Sequence, residues 1–136
     1  MVKNIYIHIG PHKTGTTTVQ KGLWINRERL KENDYLCPKS GQPYPQSAGT
    51  HNLAWQLGSN KKFSAESGTW DDLVKEIGKS GQPDNVILSS EAFSNLSLKE
   101  IKIIKKEVDS LKDLLSFSFE WSERDRQEGI DKKIRV

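Results

Sequence analysis

The N-terminal segment alternates between apolar and polar side chains. In Ile5-Tyr6-Ile7-His8-Ile9 the isoleucines fall on one face, Tyr6 and His8 fall on the other, and Gly10-Pro11 follows. Alternation with a period of two predicts a β-strand, and glycine followed by proline predicts the turn that ends it. The chain therefore opens with a short strand that has one apolar face.

Later segments repeat apolar residues at the three- and four-residue steps of an α-helix. The first pattern begins at Gly15 and stops at Asn33-Asp34, and the last follows the capping box Ser97-Leu98-Lys99-Glu100. Two shorter patterns lie between them, one ending at Gly58 and one running from about Thr69 to Lys79. The predicted helices cover about residues 15–32, 51–57, 69–79 and 98–115.

Two further apolar runs have the length of strands. Tyr35-Leu36-Cys37 stops at Pro38, and Asn85-Val86-Ile87-Leu88 is uninterrupted, as in parallel strands that are covered on both faces. Strands that alternate with helices predict an α/β fold, with a parallel sheet flanked by helices. The connection of residues 38–50 is rich in glycine and proline and long enough to indicate a functional loop.

The composition narrows the class of protein. A chain of 136 residues fits one domain, and its formal net charge of +3 suits an anionic small ligand better than nucleic acid. It contains no apolar run long enough for a membrane span and no signal-peptide pattern, so we expect a cytoplasmic protein with neither a nucleic-acid nor a membrane partner. Cys37 is the single cysteine, which excludes a disulfide or a cysteine zinc site within the chain.

The end of the chain departs from the α/β pattern. A buried strand should follow the last helix, yet residues 116–121 alternate polar and apolar side chains and residues 122–136 are mostly charged. Three interpretations stay open: an edge strand, a strand covered by a partner, or a sequence that ends before its fold is complete. We therefore expect a domain over residues 1–115, an atypical charged tail over residues 116–136, and a sheet that is marginally stable or self-associates.

The loop between the first strand and the first helix carries the clearest chemistry. It reads Gly10-Pro11-His12-Lys13-Thr14-Gly15-Thr16-Thr17-Thr18. Backbone N–H groups at a helix start bind phosphate or sulfate, Lys13 supplies a mobile charge, and threonine hydroxyls can donate hydrogen bonds. A Walker A loop needs lysine where Thr16 stands, which disfavours a nucleoside triphosphatase. The alternative is an ordinary strand-to-helix turn capped by threonine.

Lys13-Thr14-Gly15-Thr16-Thr17 resembles the 5′-phosphosulfate loop of the sulfotransferase superfamily, and the preceding Ile-His-Ile-Gly-Pro-His is similar to bacterial relatives of the carbohydrate sulfotransferases. The resemblance implies a P-loop-like sheet, 3′-phosphoadenosine 5′-phosphosulfate as donor, a hydroxyl acceptor such as a carbohydrate, and no metal. It implies that Lys13 stabilises the departing nucleotide. The implied donor-binding residues are Gly10, His12, Lys13, Thr14, Gly15, Thr16, Thr17 and Thr18.

Two residues are candidates for the base that takes the acceptor's proton. Glu91 lies at the end of the predicted strand that begins at Asn85, in Ser89-Ser90-Glu91, and ligands of open α/β sheets gather beyond the carboxyl ends of strands. The resemblance implies that Glu91 is the general base, and the alternative is a glutamate that binds backbone or pairs with lysine. His51 opens a predicted helix and is a second candidate base or acceptor contact, with a capping or packing role as its alternative.

One motif of the family is missing. The family grips the donor's 3′-phosphate with an arginine at a later strand end and a serine about eight residues on, but no arginine lies between Arg29 and Arg124, and no serine follows Ser122. Family catalytic domains are also about twice this length. We therefore expect the N-terminal part of such a fold. The alternatives to an active enzyme are a non-catalytic nucleotide- or anion-binding remnant and a variant P-loop kinase.

Overall fold

The computed structural model describes residues 2–10, 16–81, 83–111 and 116–120. The described elements are four strands and five α-helices, with 3-10 turns at Ala65–Ser67 and Glu91–Asn95. In chain order they are β1 (Asn4–His8), α1 (Thr16–Ile25), α2 (Arg27–Glu32), β2 (Tyr35–Leu36), α3 (His51–Leu57), α4 (Trp70–Lys79), β3 (Asn85–Ser89), α5 (Leu98–Leu111) and β4 (Ser116–Glu120).

The strands form one parallel sheet in the order β2-β3-β1-β4. β1 pairs with β3 over its whole length, from Asn4 beside Asn85 to His8 beside Ser89. This pairing sets the carboxyl ends of the two central strands next to each other. The sequence-based prediction of an α/β fold with a parallel sheet and flanking helices is confirmed.

The core lies where the apolar patterns place it. Ile5, Ile7 and Ile9 are buried, as are Val86 and Leu88, whereas Ile87 on the other face of β3 is only half-buried. The helices α4 and α5 add buried apolar side chains to the same cluster. These side chains are Trp70, Leu73, Ile77, Ile101 and Ile104.

The first predicted helix is interrupted. The structure divides it at Asn26, whose side-chain amide donates to the Gly22 carbonyl at 2.8 Å, while the Arg27 guanidinium donates to the Trp24 carbonyl at 2.9 Å. Backbone hydrogen bonds still cross the break, because the Asn26 N–H donates to the Gly22 carbonyl at 3.1 Å and the Leu30 N–H donates to the Asn26 carbonyl at 2.9 Å, so the interruption is confined to Asn26. Because no residue of α2 is buried, packing does not oppose this break. The apolar residue Val19 of α1 is likewise 44% exposed.

The segment after α5 forms an edge strand. Ser116–Glu120 pairs in parallel with β1, on the side away from β3. Of the three interpretations of residues 116–121, an edge strand matches this position, while the charged residues 122–136 lie outside the described part of the chain. Within the described part, no helix has the length and hydrophobicity that crossing a membrane requires.

Candidate functional site

Polar side chains gather at the carboxyl edge of the two central strands. The ring nitrogen Nδ1 of His8 lies 2.9 Å from the Ser89 hydroxyl oxygen, and the Ser90 N–H donates to the His8 carbonyl at 3.0 Å. Ser89 and Ser90 are fully buried. The chain after β3 is therefore held against the end of β1 where ligands of parallel sheets bind.

The start of α3 is fastened to the same edge. The Thr50 N–H donates to the Ser89 carbonyl at 2.7 Å, and the Ser89 N–H donates to the Thr50 hydroxyl at 3.2 Å. On the other side of His51, the Asn52 amide donates to the Ser64 and Gly68 carbonyls at 2.7 and 2.8 Å. Two buried, hydrogen-bonded residues thus flank His51 and fix its position in the fold.

His51 and Glu91 come together at this edge. The His51 Nδ1 atom lies 2.7 Å from the Ser90 hydroxyl oxygen and 3.9 Å from Oε2 of Glu91. The Ser90 hydroxyl also accepts the Ala92 N–H at 3.0 Å, which caps the 3-10 turn that begins at Glu91. The Ser90 hydroxyl can donate a hydrogen bond to a neutral imidazole nitrogen or accept a hydrogen bond from a protonated one. This arrangement therefore accommodates both charge states of His51.

A buried glutamine connects α1 to this site. Gln20 is 3% exposed, and its amide Nε2 donates to Oε2 of Glu91 at 3.2 Å and to the Ser89 hydroxyl at 3.3 Å. The sequence analysis missed Gln20 because a lone polar residue on an amphipathic helix is usually solvated. Its position three residues after Thr17 was the available signal, because that spacing places it on the helix face that continues from the loop.

Two aromatic side chains pack around the imidazole. Trp55 stacks on His51 with ring centroids 5.7 Å apart, and Tyr44 approaches His51 at 5.7 Å and Trp55 edge-on at 6.4 Å. Tyr44 belongs to the long loop of residues 38–50 and is 53% exposed. The Lys62 ammonium lies 5.7 Å from the centroid of a Trp55 ring. Trp55 therefore packs against His51, and the Tyr44 side chain beside His51 is about half exposed to solvent.

A cleft of about 720 Å³ lies between α1 and the long loop. His51 and Glu91 lie in the cleft, which joins the candidate bases to an open space large enough for a small molecule. The remaining lining residues are Thr17, Gln20, Lys21, Trp24 and Ile25 from α1, and Tyr44, Pro45, Gln46 and Ser47 from the loop.

The structure places the predicted site residues in three groups. It brings Glu91 and His51 together, as described above. Gly10 is buried just after β1, Thr16 begins α1, and Thr17 and Thr18 are exposed in its first turn. The remaining predicted donor-binding residues, His12, Lys13, Thr14 and Gly15, lie outside the described residues.

Comparisons of the chain with protein-family models, with curated proteins and with solved structures gave no match. The case for a function therefore depends on the loop motif and on the groups that surround the cleft.

Proposed function

We propose that this chain is a sulfotransferase-like protein that transfers a sulfuryl group from 3′-phosphoadenosine 5′-phosphosulfate to a hydroxyl acceptor. The observation that carries the proposal is the meeting of Glu91 and His51 in a cleft that also reaches Thr17, in the first turn of α1. A carboxylate or an imidazole can take a proton from the acceptor, and a helix start can bind an anion. Here these groups meet at one edge of the sheet.

The start of α1 fits the anionic end of the donor. The helix has ten residues, its first turn carries no acidic side chain, and it follows the loop that contains Lys13. Its positive end and the Thr17 hydroxyl favour a sulfate or phosphate there. Lys13 would neutralise charge on the departing nucleotide. In this proposal the sheet is P-loop-like.

The reaction forms a bond between the acceptor oxygen and sulfur while the bond between sulfur and the nucleotide's phosphate oxygen breaks. The acceptor's proton passes to the base, and Lys13 stabilises the phosphate that leaves. We assign the base to Glu91, whose Oε2 is held by Gln20 and whose Oε1 accepts no hydrogen bond from the described residues. Since the Nδ1 atom of His51 is engaged by Ser90, His51 is the second candidate and an acceptor contact.

Calorimetry with 3′-phosphoadenosine 5′-phosphate in magnesium-free buffer tests donor binding. We expect weak binding, since the family's 3′-phosphate motif is missing. The variant Lys13→Ala should weaken it roughly 10- to 150-fold, because a charge-assisted contact contributes about 1.5–3 kcal/mol.

A sulfuryl-transfer assay with a panel of alcohols tests catalysis. Glu91→Gln should lower the rate about 100-fold or more and leave nucleotide binding intact, because a general base contributes about 10²–10⁴-fold. Glu66→Gln, at an exposed position away from the cleft, is the matched control and should keep the full rate. Nucleotide binding without turnover would favour a non-catalytic binding protein. Magnesium-dependent binding of ATP instead would favour the variant P-loop kinase.

A further inference from the structure

We propose that the acceptor in this cleft is an aryl alcohol, a compound whose reacting hydroxyl is carried on a flat apolar ring. The role of this compound as acceptor rests on the proposed function. Apolar and aromatic side chains on both walls of the cleft point to this class of compound.

The two walls of the cleft present large apolar side chains to solvent. Trp24 and Ile25 lie on the α1 wall, and Tyr44 and Pro45 lie on the loop wall. Ile25 is 77% exposed and Tyr44 is 53% exposed. Exposed apolar side chains grouped at a concave surface mark a ligand site, since burying them against a ligand removes their contact with water.

The aromatic residues of the cleft are held in place by other groups. The Arg27 guanidinium carbon lies 4.1 Å from the centroid of the Trp24 ring, and Tyr44 rests against His51 and Trp55. A ring that is already positioned loses little conformational entropy when a ligand stacks on it. Tyr44 therefore offers a prepared surface for a flat ring directly beside the candidate bases.

The loop wall also contains backbone strain. Gln46 has a φ of 56° although it is not glycine, and it lines the cleft two residues after Tyr44. A left-handed residue of this kind costs about 1 kcal/mol and is found preferentially at ligand sites. This left-handed residue directly follows Tyr44 and Pro45, which both line the cleft.

The polar groups favour one reacting hydroxyl over many. Glu91 and His51 can serve a single hydroxyl, while the amide Nε2 of Gln20 is already engaged with Ser89 and Glu91. A sugar ring brings several hydroxyls, and each of them needs a partner when it is buried. Among the described residues, the further polar groups of the walls are the Tyr44 hydroxyl, the Lys21 ammonium and the side chains of Thr17, Gln46 and Ser47. An apolar ring that carries one hydroxyl therefore matches the exposed apolar side chains of the walls and the single pair of candidate bases better than a sugar does.

Binding of 2-naphthol and of methyl glucoside to the full chain, measured by calorimetry without nucleotide, tests this inference. We expect 2-naphthol to bind more tightly than the glucoside. Tyr44→Ala should weaken 2-naphthol binding about threefold to tenfold, and Ile25→Ala should weaken it about threefold. Tyr44→Phe keeps the ring and should bind as the parent does. Ile103→Ala removes a partly exposed apolar residue on α5, away from the cleft, and should have no effect.

Circular dichroism of each variant establishes that it is folded, and Ile25→Ala removes a side chain so exposed that folding does not depend on it. Tighter binding of the glucoside would overturn the inference, as would 2-naphthol binding that neither Tyr44→Ala nor Ile25→Ala weakens. If the nucleotide binds and 2-naphthol does not, the inference fails and the proposed function stands. If 2-naphthol binds as expected and the nucleotide does not, the ligand class stands and sulfuryl transfer fails.

Discussion

The His51 imidazole meets the Ser90 hydroxyl at 2.7 Å, across 39 positions of the chain. The same hydroxyl caps the 3-10 turn that presents Glu91. One side chain thereby positions both candidate bases. A change at Ser90 should consequently disturb stability and chemistry together.

Replacing Ser90 by alanine removes the partner of His51 and the cap of the turn. We expect the free energy of unfolding to fall by about 1–3 kcal/mol, because the buried His51 ring and the partly buried Ala92 N–H each lose a hydrogen bond. Urea denaturation measures this change. The matched control is Ser64→Ala, since the Ser64 side chain is exposed and makes no cap hydrogen bond. An equal loss in both variants would contradict a special role for Ser90.

Gln20→Glu places a second carboxylate against Glu91. Like charges raise the pKa of this pair in the folded state above its value in the unfolded chain. The repulsion between the two carboxylates therefore destabilises the folded state at high pH, and this destabilisation disappears as the pH falls and the pair takes up a proton. We expect the loss of unfolding free energy relative to the parent to be larger at pH 8 than at pH 5.

Gln20→Leu serves as the companion variant. It loses the same hydrogen bonds without adding a charge, so its stability deficit should be nearly constant between pH 5 and pH 8. Unfolding curves at several pH values give both comparisons. A deficit in Gln20→Glu that does not depend on pH would mean that the two carboxylates are not adjacent.

Gly49→Ala should displace His51, the second candidate base. A Cβ at this position would lie 2.5 Å from Nε2 of His51 and 2.9 Å from Oε1 of Gln20. Both side chains are buried, so we expect a loss of about 1–3 kcal/mol in the free energy of unfolding and a lower transfer rate. Gly78→Ala on α4 is the control, because nothing lies within 4 Å of its added Cβ, and it should gain about 0.5–1 kcal/mol.

Cys37 should be nearly inert in the folded protein. Burial raises the pKa of this thiol to about 11. Only about one molecule in a thousand then carries the reactive thiolate at pH 8. We expect its reaction with a disulfide reagent to be at least about 100-fold slower in buffer than in concentrated urea. Rapid labelling of the folded chain would indicate that Cys37 is accessible.

The strands and helices whose apolar residues all face the core could be predicted from the sequence. Ile5 and Ile7 alternate because one face of β1 enters the core, and Trp70, Leu73 and Ile77 follow the helical period for the same reason. The capping box at Ser97 is also confirmed, since Glu100 accepts the Ser97 N–H at 2.7 Å and donates its own N–H to the Ser97 hydroxyl at 3.3 Å. In each case a local pattern determines the outcome.

The network around the candidate bases depends on distant partners. Gln20 is buried because it finds Glu91 at a separation of 71 positions, and no pattern within α1 contains that information. Glu91 and His51 were identified separately, each from its place after a strand or before a helix. That they lie close together, and that Tyr44 lies beside them, could be predicted only with the sheet order β2-β3-β1-β4 in hand.

The pairing of β1 with β3 also determines when the cleft can form. The side chains that join these strands are 81 positions apart, so a long loop must close before any of those contacts is made. Closing such a loop is an entropic cost that long-range contacts recover only afterwards, which makes parallel pairing slow. A chain emerging from the ribosome has no cleft until β3 has been synthesised and docked. A ligand of the cleft would therefore recognise only the completed sheet and would slow its opening.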